Sequence, residues 1–492
     1  MITTLYFVGV SIFTLALFYV LFRRGGGLDA QLVANRRIPR QYVGIWMAIA
    51  FTWGATFFYA GQLAYTAGWL GLSFYLLGNG GGLALAFFLA PKIPVPEKKY
   101  SIVEAMGERF SSKTGWIYSI GVMGIQGGYA LTLQFLAAAA LLSFTMQADK
   151  TYTVLAAAAA MIIPVIIGGI RSSAVLDLIK GSMMTVLIVI LAPLAIWKAG
   201  GFGAVIGGLA GYVAPGLASS GSTSAWLFAI TIGIPLVVSL ISAGVIDQSM
   251  FQRYFSVNQT GARKLGLPLV AGLAFFTLNI LAAASLGFLA ANSSLGIHVD
   301  SVRIAGFAAM NTLVPTAAIF FTITVIAAFV ASGDTALNAS SSVWAMDVYK
   351  KWWRPDATEK QVILAQRLSM VVFILIAAAI ALTGVDMLTL TIAVGVFRSA
   401  LFIPTIVAFV VDKRIIPDVF GGILVAMAVS LVLYGTGKYC GSAADTCQSL
   451  PLFSAKWYEF SGALSGWIIT AVYCLWLWFR NRRVGAYPAQ YS

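Results

Sequence analysis

The feature that most constrains this chain is a succession of apolar stretches, each about long enough to cross a bilayer. Of the 492 residues, 60% are hydrophobic and only 10% are charged, whereas soluble domains carry about a quarter charged residues. The sequence therefore predicts an all-α integral membrane protein. We place about thirteen transmembrane spans at residues 3–22, 42–68, 71–91, 115–142, 150–169, 173–197, 225–246, 265–292, 314–345, 361–383, 387–411, 419–435 and 457–479.

The orientation follows from the distribution of the 31 Lys and Arg residues among the loops. Most of them lie in the loops after the odd-numbered spans and in the C-terminal tail, which the positive-inside rule assigns to the cytoplasm. We expect a cell-membrane protein with its N-terminus outside and its C-terminus inside. The first span lacks a small-residue cleavage site, so we expect it to be retained rather than removed as a signal peptide.

The net charge of +14 does not indicate nucleic-acid binding, because this basic excess faces the cytosol and anionic lipid headgroups. The single His and three Cys are too few for a usual metal centre. Cys440 and Cys447 fall in an external loop, where a disulfide and two free thiols are the alternatives. Cys474 fits packing within a span. No hydrolase, redox or nucleotide motif occurs, so we do not expect an enzyme.

Ionisable residues inside spans are costly and often functional. Asp177 and Lys180 are three residues apart and therefore share one face of their helix. Either they pair and neutralise each other, or Asp177 binds a cation or exchanges a proton while Lys180 adjusts the affinity of that carboxylate. Arg398 needs an acidic partner, carbonyl oxygens, water or an anionic substrate. Asp247 either caps a helix end or marks a broken helix that exposes backbone groups.

Two further spans are unusually polar. The stretch from Ser332 to Ser342 includes Asp334, Thr335 and Asn338. One or two hydroxyls in a helix can be explained by hydrogen bonds to carbonyls of the preceding turn, but so many side-chain oxygen atoms cannot. Oxygen atoms of this kind are the ligands that hard cations prefer. Span 2 mixes Thr52, Thr56 and Gln62 with glycines, which suits either close helix packing or an unwound segment.

Three motifs resemble the sodium/solute symporter family. They are "GGIRSSAVLDLIK" at 168–180, "DQSMFQRYFSVNQTGARK" at 247–264 and "ASGDTALNASSSVWAMDVYKK" at 331–351, in family order and spread over most of the chain. The resemblance implies a leucine-transporter-like fold with one leading helix, two inverted five-helix repeats and two final helices. The corresponding segments are residues 1–41, a transport core of 42–411 with repeats 42–197 and 225–411, and 412–492. The first helix of each repeat would be discontinuous.

The resemblance also implies a sodium site between the first and eighth core helices. Its ligands map to backbone carbonyls near Ile49 and Thr52 on the first of these helices, and to Ala328, Ala331 and Ser332 on the eighth. A second site, present in some members, maps to Asp177, Asp334 and Thr335. Two departures from the family pattern bear on coupling. Ala331 stands where the family usually has a residue with a hydroxyl. The family motif Thr-Asp-x-x-Gln is changed at both ends, to Leu176 and Lys180, while Asp177 is kept.

The function implied is secondary active import of a small polar solute by cation-coupled symport with alternating access. Na⁺ is favoured as the coupling ion; the alternatives are proton coupling with Lys180 replacing a bound cation, a transporter-like solute sensor, and a channel. Membrane lipid is the expected surrounding and a monomer the expected state. Arg398 and Lys180 favour an anionic solute. The expected solute contacts are Thr56, Gln62, Gln126, Tyr129, Gly244, Asp247 and Arg398.

Overall fold

The computed structural model describes residues 27–93, 100–146, 149–212, 223–257, 266–442 and 458–484. Within these ranges the chain is helical apart from loops and a single bridge between Ile38 and Val257. Ten of the described helices are long and apolar enough to cross a membrane. The predicted first span, the C-terminal tail and the side chains of Cys440 and Cys447 lie outside the described part. Cys474 is buried and free.

The α-helices are numbered in chain order. They are α1 Leu28–Val33, α2 Val43–Phe51, α3 Gly54–Leu89, α4 Ile102–Arg109, α5 Ser112–Met123, α6 Leu131–Met146, α7 Lys150–Val186, α8 Ala192–Lys198, α9 Phe202–Gly207, α10 Thr223–Phe228, α11 Ile234–Ile246, α12 Gln248–Phe255, α13 Gly266–Ala291, α14 Ala305–Leu313, α15 Pro315–Val343, α16 Glu359–Leu382, α17 Met387–Val410, α18 Phe420–Ser442 and α19 Tyr458–Val484. Short π-helical segments continue some of them at Gly124–Ala130, Leu187–Leu191, Ala229–Gly233 and Trp344–Trp353.

The predicted break in span 2 separates α2 from α3. Thr52 ends α2 with an extended backbone, and α3 begins at Gly54. The Thr56 Oγ1 atom accepts a hydrogen bond from the Trp53 N–H at 3.1 Å, and the Gln134 Oε1 atom of α6 accepts one from the Gly54 N–H at 3.0 Å. These acceptors satisfy backbone donors that a helix start leaves free in a buried place.

The second predicted break separates α11 from α12 at Asp247. Its carboxylate Oδ1 atom accepts hydrogen bonds from the Ser249 N–H at 2.8 Å and the Ser249 hydroxyl at 2.5 Å. Asp247 is therefore the N-cap of α12, and it also stands at a broken helix. Both expectations for this residue hold together.

Glycines allow the two broken helices to pack closely against their neighbours. A Cβ atom at Gly244 of α11 would lie 2.3 Å from the backbone of Gly82 in α3. A Cβ atom at Gly287 of α13 would lie 2.2 Å from the Gly61 carbonyl oxygen of α3. Close backbone approach at small residues is typical of helix pairs in membranes. The segment boundaries at 41, 197, 225 and 411 remain predictions.

Two predicted boundaries fall inside helices. The one at residues 69–70 coincides with a kink in α3, where Gly68 has a φ of +62°. The other differs from the structure. The sequence places a break near residues 170–172 between spans 5 and 6, but α7 continues from Lys150 to Val186. Gly168 and Gly169 suggested that break, yet a glycine in a helix interior costs only about 1 kcal/mol relative to alanine. Continuous backbone hydrogen bonding in a membrane outweighs that cost.

Candidate solute and cation sites

A small buried cavity lies between the two broken helices. Its free volume is about 20 Å³, room for about one water molecule, so the surrounding helices must move apart before a solute can enter. Residues from α2, α3, α6, α11, α17 and the segment Gly124–Ala130 surround it: Phe51, Trp53, Ala55, Thr56, Tyr59, Tyr75, Asn79, Tyr129, Leu133, Leu240, Ala243 and Arg398.

Arg398 is the charged side chain of this cavity. It is fully buried, and its guanidinium carbon lies 4.4 Å from the ring centroid of Tyr129 and 5.9 Å from that of Trp53. Its Nη1 atom lies 3.5 Å from the Ser239 hydroxyl, while its Nε and Nη2 atoms have no hydrogen-bond partner. The predicted alternative of a buried acidic partner is therefore not what the structure forms.

Asn79 contributes a second free donor to the same cavity. Its Nδ2 atom is buried without a partner. Tyr129 is held on the cavity wall by a 2.8 Å hydrogen bond to Thr391, whose hydroxyl also bonds to the Tyr59 hydroxyl at 2.6 Å. The cavity thus combines rigid aromatic walls with free N–H donors, an arrangement that suits a small anion with an apolar body.

The predicted solute contacts divide into two groups. Thr56, Tyr129 and Arg398 line the cavity. Gln62, Gln126, Gly244 and Asp247 do not line it: Gln126 is buried in the segment Gly124–Ala130, Gly244 packs on Gly82, and Asp247 caps α12. Their assignment as solute contacts stays a prediction.

The expected first cation position lies where α15 meets the end of α2. The Ser332 hydroxyl is within 2.7 Å of the Ala328 carbonyl oxygen and 3.3 Å of the Thr52 carbonyl oxygen. Lys180 of α7, fully buried, donates from Nζ to the same hydroxyl at 2.8 Å. The predicted pairing of Lys180 with Asp177 is replaced by this contact.

At this first cation position, Ile49, Ala328 and Ala331 have no side-chain oxygen atom. Ala331 packs against Leu176 of α7 in a small apolar contact. Ile49 lies one helical turn before Thr52, and a Cβ atom at Gly181 would lie 2.4 Å from its Cδ1 atom. Hard cations need several oxygen ligands. Backbone carbonyls alone would remain for one, because the Thr52 hydroxyl donates to the Ala48 carbonyl at 2.8 Å and the Lys180 ammonium already donates to the Ser332 hydroxyl. The residues present therefore do not fit a sodium ion here.

The expected second cation position is also occupied by a side-chain cation. Arg253 of α12 forms an ion pair with the Asp177 Oδ2 atom and donates to the Thr335 hydroxyl at 2.7 Å. Trp46 of α2 donates to the same Asp177 atom at 2.9 Å. Arg253 thus joins α12 to α7 and α15, and Asp177 is a partner of that arginine.

Asp334 has different surroundings from Asp177. It is fully buried in α15, where Ser173, Asp177 and Arg253 lie close to it, and it forms no ion pair with the described side chains. The remaining polar residues of this stretch are satisfied locally. Ser340, Ser341 and Ser342 donate back to helix carbonyls, and Asn338 accepts from Gln366 at 3.1 Å.

Several residues of these sites were not among the sequence-based candidates. Arg253 could have been found as a second arginine beside a predicted helix break, and Asn79 as a lone amide in an apolar, glycine-rich stretch. Trp53 and Gln134 give no such signal, because only the packing of α6 against the break brings them to the site.

Two solved structures share this fold. One, a substrate-bound, outward-open Na⁺-coupled sialic acid symporter, matches with a TM-score of 0.71 at 17% identity, covering 97% of this chain and 98% of that chain. The other, the nucleobase-cation-symport-1 family transporter Mhp1 in a closed conformation with bromovinylhydantoin bound, has a TM-score of 0.57 at 12% identity, covering 93% and 96%. The fold is thus that of cation-coupled membrane symporters, and the predicted leucine-transporter-like class is confirmed.

The family is shown by the sequence itself. The sequence model of the sodium:solute symporter family matches residues 32–429, most of the chain. The protein belongs to this family, which is one of transporters rather than enzymes. A search of curated protein sequences found no match.

Proposed function

We propose that the chain imports a small anionic solute across the cell membrane by cation-coupled symport with alternating access. Membership in the sodium:solute symporter family supports symport. The observation that carries the choice of solute is Arg398, a buried guanidinium with two free N–H-bearing atoms facing a cavity. An uncompensated buried charge is costly, and an anionic ligand would offset that cost.

The expected recognition follows from the donors in the cavity. The planar guanidinium of Arg398 would hold a carboxylate or a similar group through parallel hydrogen bonds. Asn79 would donate to a further oxygen atom, while Trp53 and Tyr129 would contact the apolar body of the solute. The cavity has a free volume of about 20 Å³ in this conformation and would have to widen to admit even a compact solute.

Alternating access is supported by the position of the cavity between the breaks at Thr52 and Asp247. In transporters with inverted repeats, discontinuous helices flank the solute near the bilayer midplane, and one bundle moves relative to the rest. Rocking about these breaks would open the cavity to one side and then to the other.

The coupling cation has two candidates. The family and the sialic acid symporter support Na⁺. Proton-coupled symport is the second candidate, because the 2.8 Å contact of Lys180 with Ser332 places an ammonium at the expected sodium position.

The test is an uptake screen in proteoliposomes with labelled acetate and pyruvate against the neutral solutes glucose and glycerol, under imposed sodium or proton gradients. We expect uptake of an anionic member, and Arg398→Gln should weaken its binding by about 2–5 kcal/mol, or roughly 30-fold or more in Kd. Arg354→Gln, at an exposed arginine, is the matched control. Uptake of an anion that Arg398→Gln leaves unchanged would contradict the proposal.

A further inference from the structure

We propose that the Lys180 ammonium takes the place of the sodium ion at the Ser332 position, so that this chain binds no sodium between α7, α15 and the end of α2. The consequence of this replacement for transport rests on the proposed function. The replacement itself concerns ion binding alone, however, and is tested without a solute.

The first support is the hydrogen bonding of Ser332. Its hydroxyl donates to the Ala328 carbonyl at 2.7 Å and accepts from Lys180 Nζ at 2.8 Å. A cation bound to the same oxygen would lie a few ångströms from the ammonium, in a buried place where charge repulsion is weakly screened. The ammonium and a sodium ion are therefore mutually exclusive at this hydroxyl.

The second support is that the departures from the family pattern meet in space. Leu176 and Ala331, both apolar where the family usually has hydroxyls, pack against each other across α7 and α15. Lys180, one turn after Leu176, reaches the hydroxyl that remains. At this one place the chain has lost ligand oxygen atoms and gained a fixed ammonium. Both changes are required if a side chain is to replace a bound cation.

The third support is charge balance. Among the described side chains of this region, the cations are Lys180 and Arg253 and the acids are Asp177 and Asp334, all of them buried. Two cations and two carboxylates balance without any ion. A sodium ion would add an uncompensated positive charge to a place shielded from water, and such charges are costly inside a membrane.

The experiment measures ²²Na⁺ binding to the purified full chain in detergent, with choline chloride as the sodium-free salt. We expect the wild type to show no saturable sodium binding that Ser332→Ala removes. The triple variant Leu176→Thr, Lys180→Gln and Ala331→Ser restores hydroxyls and removes the ammonium. It should gain saturable sodium binding and a Tm that rises with sodium concentration.

Two further variants localise the signal. Adding Ser332→Ala to the triple variant should remove the gained sodium binding, and Lys198→Gln, at a lysine outside this region, should behave like the wild type. Saturable sodium binding by the wild type that Ser332→Ala abolishes would overturn the proposal. A triple variant that is folded and monodisperse but gains no sodium binding would also overturn it. Neither result depends on whether an anionic solute is found.

Discussion

At the scale of single residues, the two buried arginines have opposite surroundings. Arg253 has an acidic partner and further contacts with Ser249 and Thr335, so its charge is compensated within the protein. Arg398 has only a long contact with Ser239 and two free donor atoms. A buried charge that is already paired serves structure, whereas one left unpaired beside a cavity indicates a ligand.

The two buried aspartates show the same contrast. The Asp177 Oδ2 atom accepts from Arg253 and from Trp46, so this carboxylate holds α7, α12 and α2 together. The carboxylate of Asp334, by comparison, lies near the Ser173 hydroxyl and forms no ion pair within the described part of the chain. Loss of charge at these two neighbouring positions should therefore have different consequences.

We predict that Asp177→Asn destabilises the protein strongly, because it leaves Arg253 as an uncompensated buried charge, at a cost of about 3–5 kcal/mol. The matched change Asp334→Asn leaves the ion pair of Asp177 with Arg253 in place and should lower stability less. Thermal unfolding of the purified chains in detergent measures both effects. Equal losses of Tm in the two variants would contradict the assignment of Arg253 to Asp177.

At the scale of elements, each break in a helix is stabilised by a particular side chain. Asp247 supplies the acceptors that begin α12, and it belongs to the break itself. The start of α3 depends instead on Gln134, which reaches it from α6. A helix start inside a membrane needs such an acceptor, since no water is available to replace it.

We predict that Gln134→Ala destabilises the protein by about 1–3 kcal/mol, the usual cost of a buried donor left without a partner. Binding of an identified solute should weaken as well, because Trp53 and Thr56 at the start of α3 line the cavity. Tm and Kd are the measurements. Thr145→Ala, on the same helix but bonded only to its own turn, is the control and should change neither quantity.

At the scale of the whole molecule, the distribution of basic residues predicts the orientation in the membrane. Lys350, Lys351 and Arg354 follow α15 on the side assigned to the cytoplasm, and the loop with His298 lies on the opposite side. His298 has 88% of its side chain exposed and is therefore accessible to a reagent in solution.

We predict that His298→Cys reacts with a membrane-impermeant maleimide in intact cells, in a background where Cys440, Cys447 and Cys474 are replaced. Lys360→Cys, on an exposed residue at the start of α16, should react only after permeabilisation. Labelling in the reverse order would contradict the assignment of the loop with His298 to the outside and of the start of α16 to the cytoplasm.

Much of the fold was predictable from the sequence, because local signals specify it. Apolar stretches of bilayer length gave the spans, and the small or polar residues near Thr52 and Asp247 indicated both breaks before the structure showed them. The boundary near residues 170–172 was predicted wrongly, since the glycines there weaken a helix without ending it.

The candidate sites were only partly predictable. Arg398, Thr56 and Tyr129 line one cavity, and their role as solute contacts stays a prediction. Asn79, Trp53 and Gln134 were missed because their positions depend on how α3, α6 and α17 pack. Lys180 was expected beside Asp177, three residues away on its own helix, but its side chain extends to Ser332 on α15 instead.

The sequence by itself determined that this chain is a helical membrane protein, which orientation in the membrane is expected, and where the first helix of each repeat breaks. Those properties depend on hydrophobicity, charge and backbone preferences that each segment carries alone. Only the tertiary structure decided which buried charge meets which partner: Asp177 with Arg253, Lys180 with Ser332, and Arg398 with a cavity. Helical periodicity gives the face on which a side chain lies, whereas its partner depends on the neighbouring helix that packs against that face.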